Sequence, residues 1–163
     1  MHAQEKTYAL ALMALVLIGV SAAWGAYQST TTITITGPAL GSVDTKTGTF
    51  TAIGKKADEV TLPGLINVTG VPSSSEKIKL RIILLNVNAL RDQFDSMYIN
   101  VTMWKEESFS NLAASGILTL SKSEVILRLT GSTNYYGELV VNYIPSTPHP
   151  SATIKLYAEI EQD

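Results

Sequence analysis

Few residues in this chain could do acid–base or metal chemistry. Its 163 residues hold two histidines, His2 and His149. His2 precedes a long apolar segment, and His149 lies between Pro148 and Pro150, the setting of a solvated loop. A zinc site of the HExxH type needs two imidazoles one helical turn apart, and a Ser-His-Asp triad needs a histidine near a nucleophile such as that of GxSxG. Neither pattern occurs. Glu106-Glu107 and the pair Glu159/Glu161 offer carboxylates for acid and base roles. On a strand, however, residues two apart share a face, so Glu159 and Glu161 read as outward solubilising charge rather than as a glycosidase pair. Asp58, Asp92 and Asp95 could meet a calcium ion at a loop or between subunits, but they match no EF-hand spacing. No catalytic, cofactor-binding or metal-ligating residue is assigned, structural calcium lacks a clear motif, and the chain is expected not to be an enzyme.

Two triplets point instead to modification. Asn67-Val-Thr69 and Asn100-Val-Thr102 match the acceptor signal for N-linked sugar. Asn100 falls on the outward parity of its strand and Asn67 lies near a turn; unmodified polar surface is the other reading of both. The formal charge of -2 and a pI near 5.7 come without the clustered basic face that a nucleic-acid partner needs. There is no cysteine, so stability must come from packing, hydrogen bonds or assembly.

From Tyr8 to Ala26 no residue is charged, a length close to the ~20 residues of a spanning helix. The apolar core from Ala9 to Val20 is followed by small residues. Ala23 and Gly25 suit a signal-peptidase cut between Gly25 and Ala26, and Ser21 and Ala23 suit one before Trp24. Two readings stay open for residues 1–25: a removed signal peptide, or a retained hydrophobic helix. Lys6 is offset by Glu5, so orientation is not readable from charge. Residues 26–37 then form an N-terminal strand segment and residues 38–163 one domain.

That domain reads almost wholly as strands separated by turn residues. Candidate runs are Thr49 to Ile53, Glu59 to Leu62, a Pro63-Gly64 turn, Leu65 to Thr69, and Lys77 to Leu85 with Ile78, Leu80 and Ile82 on one face. Ser96 to Trp104 puts Met97, Ile99, Val101 and Met103 inward, with Tyr98, Asn100, Thr102 and Trp104 outward. Gly116 to Ser121, Glu124 to Thr130, Glu138 to Ile144 and Thr153 to Glu161 follow, the last with Ile154, Leu156, Ala158 and Ile160 inward. Asn88 to Phe94 has room for one helical turn, and Lys105 to Ala114 reads as a short helix or polar loop. Strands at this spacing without helices between them predict an all-β, antiparallel two-sheet jelly-roll sandwich, preceded by an N-terminal hydrophobic segment.

The run Thr30-Thr31-Thr32-Ile33-Thr34-Ile35-Thr36 is one of the strongest strand formers in the chain, β-branched at every position and ended by Gly37-Pro38. Ile33 and Ile35 share one face, opposite Thr32, Thr34 and Thr36. It can fold onto its own sheet, or it can add to a neighbour's sheet, where backbone hydrogen bonds give affinity and alternate side chains give register. Left unpaired, so uncharged an edge is an aggregation hazard.

The boundary Ala23-Trp-Gly-Ala-Tyr27, the later Thr47-Gly-Thr-Phe-Thr51 and the closing Ala158-Glu-Ile-Glu-Gln162 resemble the TasA and camelysin class of exported matrix-fibre proteins. The middle of the chain, Ile78-Lys-Leu-Arg-Ile-Ile-Leu-Leu-Asn-Val-Asn-Ala-Leu90 followed by Phe94 and Tyr98-Ile-Asn-Val101, is similar to the cannula proteins and bundling pilins of hyperthermophilic archaea. The resemblance implies a jelly-roll subunit of an extracellular, cell-surface filament or pilus, polymerised by donor-strand complementation for cell–cell contact or biofilm matrix. It makes Tyr27 and Thr30 to Thr36 the partner-binding residues and a second copy of the chain the partner. In the cannula relatives calcium supports subunit contacts; this sequence is poorer in acidic loop clusters. The zinc ligands attributed to camelysins have no counterpart. Other readings are a type IV pilin-like subunit keeping residues 8–27 as a filament-core helix, a membrane-anchored adhesin or S-layer-associated module, and an exported hydrolase. Membrane contact is expected only during export or through an uncleaved N-terminal helix.

Overall fold

A strand with one buried face needs an apolar residue at each inward position and accepts polar residues between them. This alternation recurs along most of the chain. The computed structural model describes residues 40–163 and, as backbone, residues 31–33. The chain divides into two units, Met1–Thr31 and Thr32–Asp163, and the second is described below. The strands are β1 (Thr31–Ile33), β2 (Ser42–Thr45), β3 (Gly48–Thr51), β4 (Asp58–Thr69), β5 (Ile78–Leu84), β6 (Phe94–Trp104), β7 (Leu112–Thr119), β8 (Glu124–Leu129), β9 (Tyr135–Pro145), β10 (Ser151–Ile154) and β11 (Leu156–Gln162), with one helical turn, α1 (Val87–Arg91), between β5 and β6.

The pairing explains the architecture. β3 pairs with β10, β4 with β9, β5 with β8 and β6 with β7, all antiparallel. These four pairs are nested along the chain, each enclosing the next, which is the connectivity of one long antiparallel ribbon rolled up on itself. That is the jelly roll expected from the sequence. Rolling sets β6 beside β9 and β11 beside β5. The larger sheet then has the order β1-β2-β4-β9-β6-β7, and the smaller β11-β5-β8. β10 runs into β11 past Lys155, whose carbonyl accepts from Leu85 N–H at 2.9 Å, and β3 pairs alongside β10.

Inward rows from the two sheets form the core. Ile78, Leu80 and Ile82 of β5 are each 0% exposed, and Met97, Ile99, Val101 and Met103 of β6 are at most 2% exposed. Ile154, Leu156, Ala158 and Ile160 are buried as expected. Phe50 of β3, Phe94 of β6 and Tyr143 of β9 pack as an aromatic cluster, with ring centroids 4.9 to 6.0 Å apart. Full burial of an aliphatic side chain contributes roughly 1.5–3 kcal/mol, which must offset chain entropy without help from a disulfide.

Four details differ from the sequence expectations. Pro63-Gly64 is a bulge inside one continuous strand: Pro63 faces Glu138 and Ile66 faces the next residue, Gly137. The ladder breaks where Pro63 lacks an N–H, and Gly64 takes φ +69°. Lys105 to Ala114 is neither helix nor wholly loop, because β7 begins at Leu112. The helical turn ends at Arg91, since Phe94 is drawn into β6 by pairing with Pro145. β2 is a strand that the sequence does not announce.

Gly137 lies opposite the bulge with no room for a side chain. A Cβ there would meet Ile66 O at 2.7 Å and Ile66 Cβ at 2.8 Å. Gly137→Ala is therefore expected to lower the unfolding free energy by about 1–3 kcal/mol in a denaturant titration; a midpoint equal to the parent's would contradict this packing.

Candidate functional site

The β2 edge of the larger sheet is the candidate interface. β2 is fixed on one flank by β4, in the register Ser42↔Thr69 to Thr45↔Ile66. The Ser42 and Thr69 hydroxyls are 3.0 Å apart, and Lys46 N–H donates to Leu65 O at 2.8 Å. The Val43 side chain points into the core, 2% exposed. Thr45 Oγ1 donates to Leu156 O of β11 at 3.5 Å, tying β2 to the opposite sheet. The other flank of β2 belongs to β1, the outermost strand in the order. Asp44, opposite Asn67 in the ladder, has its Oδ1 buried with no hydrogen-bond partner among the described residues.

Of the partner-binding residues expected from the sequence, three fall among the described residues, and these lie at this edge. Thr31, Thr32 and Ile33 form β1; Tyr27, Thr30, Thr34, Ile35 and Thr36 lie outside the described residues, as do the cleavage residues Gly25 and Ala26. β2 is not legible as a strand in the sequence because Ser42-Val-Asp-Thr45 holds a single apolar residue. The one available signal was the placement of Val43, which pairs with Val68.

The two outer faces of the sandwich differ in chemistry. On the larger sheet, the outward residues of β6 run Ser96, Tyr98, Asn100, Thr102 and Trp104. Their ladder partners on β7 and β9 include Ile117, Val140, Asn142, Tyr136 and one charge, Glu138. Tyr98 is 55% and Ile117 49% exposed. Tyr98 forms a ridge between two open grooves of about 510 and 460 Å³; Arg91, Asp95 and Thr119 help line one, Glu59, Asn142 and Ile144 the other. Asn100 is exposed in the middle of this face, whereas Asn67 is half-buried between Asp44 and Tyr136 on the adjacent strands.

The smaller sheet carries an ionic lattice. Arg81 of β5 donates from Nε to Glu124 Oε1 of β8 at 2.8 Å and from Nη1 to Glu159 Oε1 of β11 at 2.8 Å. The Tyr157 hydroxyl donates to Glu159 Oε2 at 2.9 Å. Lys79 and Arg128 both reach Asp163, at 3.0 and 3.3 Å. The Arg81 guanidinium holds the Glu124 and Glu159 carboxyls below their usual range, and the Lys79 ammonium does the same for Asp163. Burial, reinforced by the bond to Glu159, raises the Tyr157 hydroxyl. Glu159 is thus a clamped cross-strand partner rather than free surface charge.

The remaining candidates stay apart. Glu106 accepts from Ser110 Oγ at 2.5 Å within its own loop. His149 is exposed, with φ +52°, and its Nδ1 accepts from Gly54 N–H at 3.2 Å, so it ties two loops together. Among the described residues no group of three or more His, Asp or Glu side chains converges as a metal site would require. None of the helices among them is long and apolar enough to cross a membrane.

No family model matches this chain, and none of the curated proteins does. Among solved structures it is similar to one described by the words "Structural basis for the promiscuous specificity of the carbohydrate-binding modules from the beta-sandwich super family". The two share 13% identity at a TM-score of 0.35, over 82% of this chain and 54% of that one. The chain thus spans about half the length of that structure, and a likeness at this TM-score carries no argument about function.

The ionic lattice sets a pH dependence. Carboxyls whose folded pKa is depressed contribute stability that is fully present above the unfolded value, roughly 4.3 for Glu and 3.9 for Asp. That stability is lost as pH falls through the lower folded values. Urea midpoints measured against pH should therefore fall on acidification below about pH 4.5. Arg81→Gln should lower the midpoint at neutral pH and flatten this acid-side fall, because Glu124 and Glu159 then return toward ordinary titration. Parallel curves for the two proteins would show that the lattice contributes nothing.

Proposed function

We propose that this chain is the structural subunit of an extracellular filament or pilus, serving cell–cell contact or biofilm matrix, and that it polymerises by donor-strand complementation. The Thr30 to Thr36 strand of one subunit pairs along β2 of the next. Residues 1–25 serve export, and the subunit has no catalytic role. The TasA-like and bundling-pilin-like sequence features support this reading.

One observation carries it furthest. All four nested pairs of the jelly roll are made by residues between Gly48 and Ile154, while β1 is a three-residue addition at the far edge of the larger sheet, beside β2. A strand that the roll does not need for closure is one that can be exchanged. Each subunit then offers one uncharged strand and one flank to receive it. Such a head-to-tail contact propagates as a fibre when its rotation does not close into a ring. Ile33 and Ile35 would bury roughly 1.5–3 kcal/mol of transfer free energy each, and each ladder hydrogen bond adds about 1 kcal/mol. Paired in this way, the strand is no longer an aggregation hazard.

Deleting residues 26–36, or changing Ile33 and Ile35 together to Asp, is expected to abolish filaments in electron micrographs and leave a soluble, folded sandwich. A synthetic peptide of the excised segment should then bind the open flank and raise the thermal midpoint with concentration. Normal polymerisation by the double variant, or failure to fold even with the peptide present, would make residues 30–36 an ordinary strand of their own sheet.

A further inference from the structure

We propose that Asn100 carries an N-linked oligosaccharide whose first sugar residues lie on the outer face of the larger sheet, against Tyr98, Ile117 and Val140, and that Asn67 stays unmodified. The proposal depends on passage through an export route, not on filament assembly.

The geometry distinguishes the two acceptor triplets. Asn100 is exposed at the centre of β6, directly between Ile117 of β7 and Val140 of β9 in the ladders. Opposed residues on neighbouring strands have Cβ atoms about 4.5–5.5 Å apart, so both lie within reach of the first sugar on the Asn100 side-chain nitrogen. Tyr98, two residues along the same strand, is about 7 Å away on the same face and stands 55% exposed. Its ring offers an apolar surface for the C–H faces of a pyranose. Thr102, the hydroxyl residue of the triplet, shares the outward parity of Asn100.

The composition of the face fits a neutral, hydroxyl-rich cover. From Ser96 to Trp104 the outward positions of β6 and their partners on β7 and β9 hold one charged residue, Glu138. The opposite outer face carries Lys79, Arg81, Glu124, Arg128, Glu159 and Asp163. Exposed Tyr98, Ile117 and Ile144 on the neutral face would otherwise form an apolar patch that invites non-specific association. At Asn67 no such space exists. Its side chain is half-buried between Asp44 and Tyr136, and Asp44 Oδ1 beside it is buried.

The reaction is a group transfer. The Asn100 amide nitrogen attacks the anomeric carbon of a polyprenyl-phosphate-linked oligosaccharide; a C–N bond forms, the C–O bond to phosphate breaks, and the amide proton passes to a base of the transferase with no change of oxidation state. In the folded protein Asn100 lies in the ladder between β7 and β9, so a transferase can grip its backbone only before β6 is enclosed. Modification therefore precedes folding, and only chains whose sugar the finished sheet can accommodate, at exposed Asn100 and not at half-buried Asn67, reach the folded state.

The test uses the full-length chain secreted from cells that glycosylate other exported proteins, read by intact mass and peptide mapping. The expected result is a mass excess of whole sugar residues on the Asn100 peptide, lost in Asn100→Gln and in Thr102→Ala, and kept in Asn67→Gln and in Thr102→Ser. Enzymatic release of the sugar should raise the fluorescence of a hydrophobic dye, as Tyr98 and Ile117 become uncovered. An unmodified Asn100 in cells that modify a control protein, or sugar confined to Asn67, overturns the site. Dye fluorescence unchanged on release overturns the packing of the sugar on this face.

Discussion

Every other feature of this chain depends on two apolar rows meeting between two sheets. The chain has no cysteine, so nothing covalent holds the roll closed. The β5 row Ile78-Leu80-Ile82 and the β6 row Met97-Ile99-Val101-Met103 are almost fully excluded from water, and sheets packed face to face stand about 10 Å apart, which such side chains fill. Because strand side chains alternate with period two, burying one row fixes which residues face outward. The chemistry of both outer surfaces is therefore set by the packing of the core.

Those surfaces divide the work. The smaller sheet is laced with cross-strand ion pairs centred on Arg81, which join three strands and keep that face hydrated. On the larger sheet the outward row of β6 and its partners on β7 and β9 hold one charge, Glu138, and present Tyr98, Asn100 and Ile117. At the sides of the sandwich β7 packs beside β8 and β2 beside β11, so the roll closes around its core. In the proposed filament the flank of β2 that faces β1 is where the sheet is extended, so strands would add to an edge without reopening the core.

Much of this was legible in the sequence wherever a strand had one wet and one dry face. The inward sets of β5, β6 and β11 follow from alternation alone, and so does the outward position of Asn100. The parts that were not legible depend on partners distant in sequence. β2 is a strand because β4 pairs with it, not because Ser42-Val-Asp-Thr45 has strand composition. Pro63-Gly64 reads locally as a turn, yet β9 pairs on both sides of it, so it survives as a bulge. Arg81 meets carboxylates 43 and 78 residues away, which no local pattern could announce. Of the expected donor segment, only Thr31, Thr32 and Ile33 fall among the described residues.

The central claim is that the strand beside β2 comes from a different subunit in the assembled state. The most direct measurement is a helical reconstruction of the purified filament by electron cryomicroscopy, at a resolution that traces the backbone from residue 26 to residue 45. The account predicts that the strand lying along Ser42–Thr45 traces to the adjacent subunit, with Ile33 and Ile35 facing that neighbour's core. A trace connecting that strand to β2 of its own chain, with subunits held together through other surfaces, would contradict it.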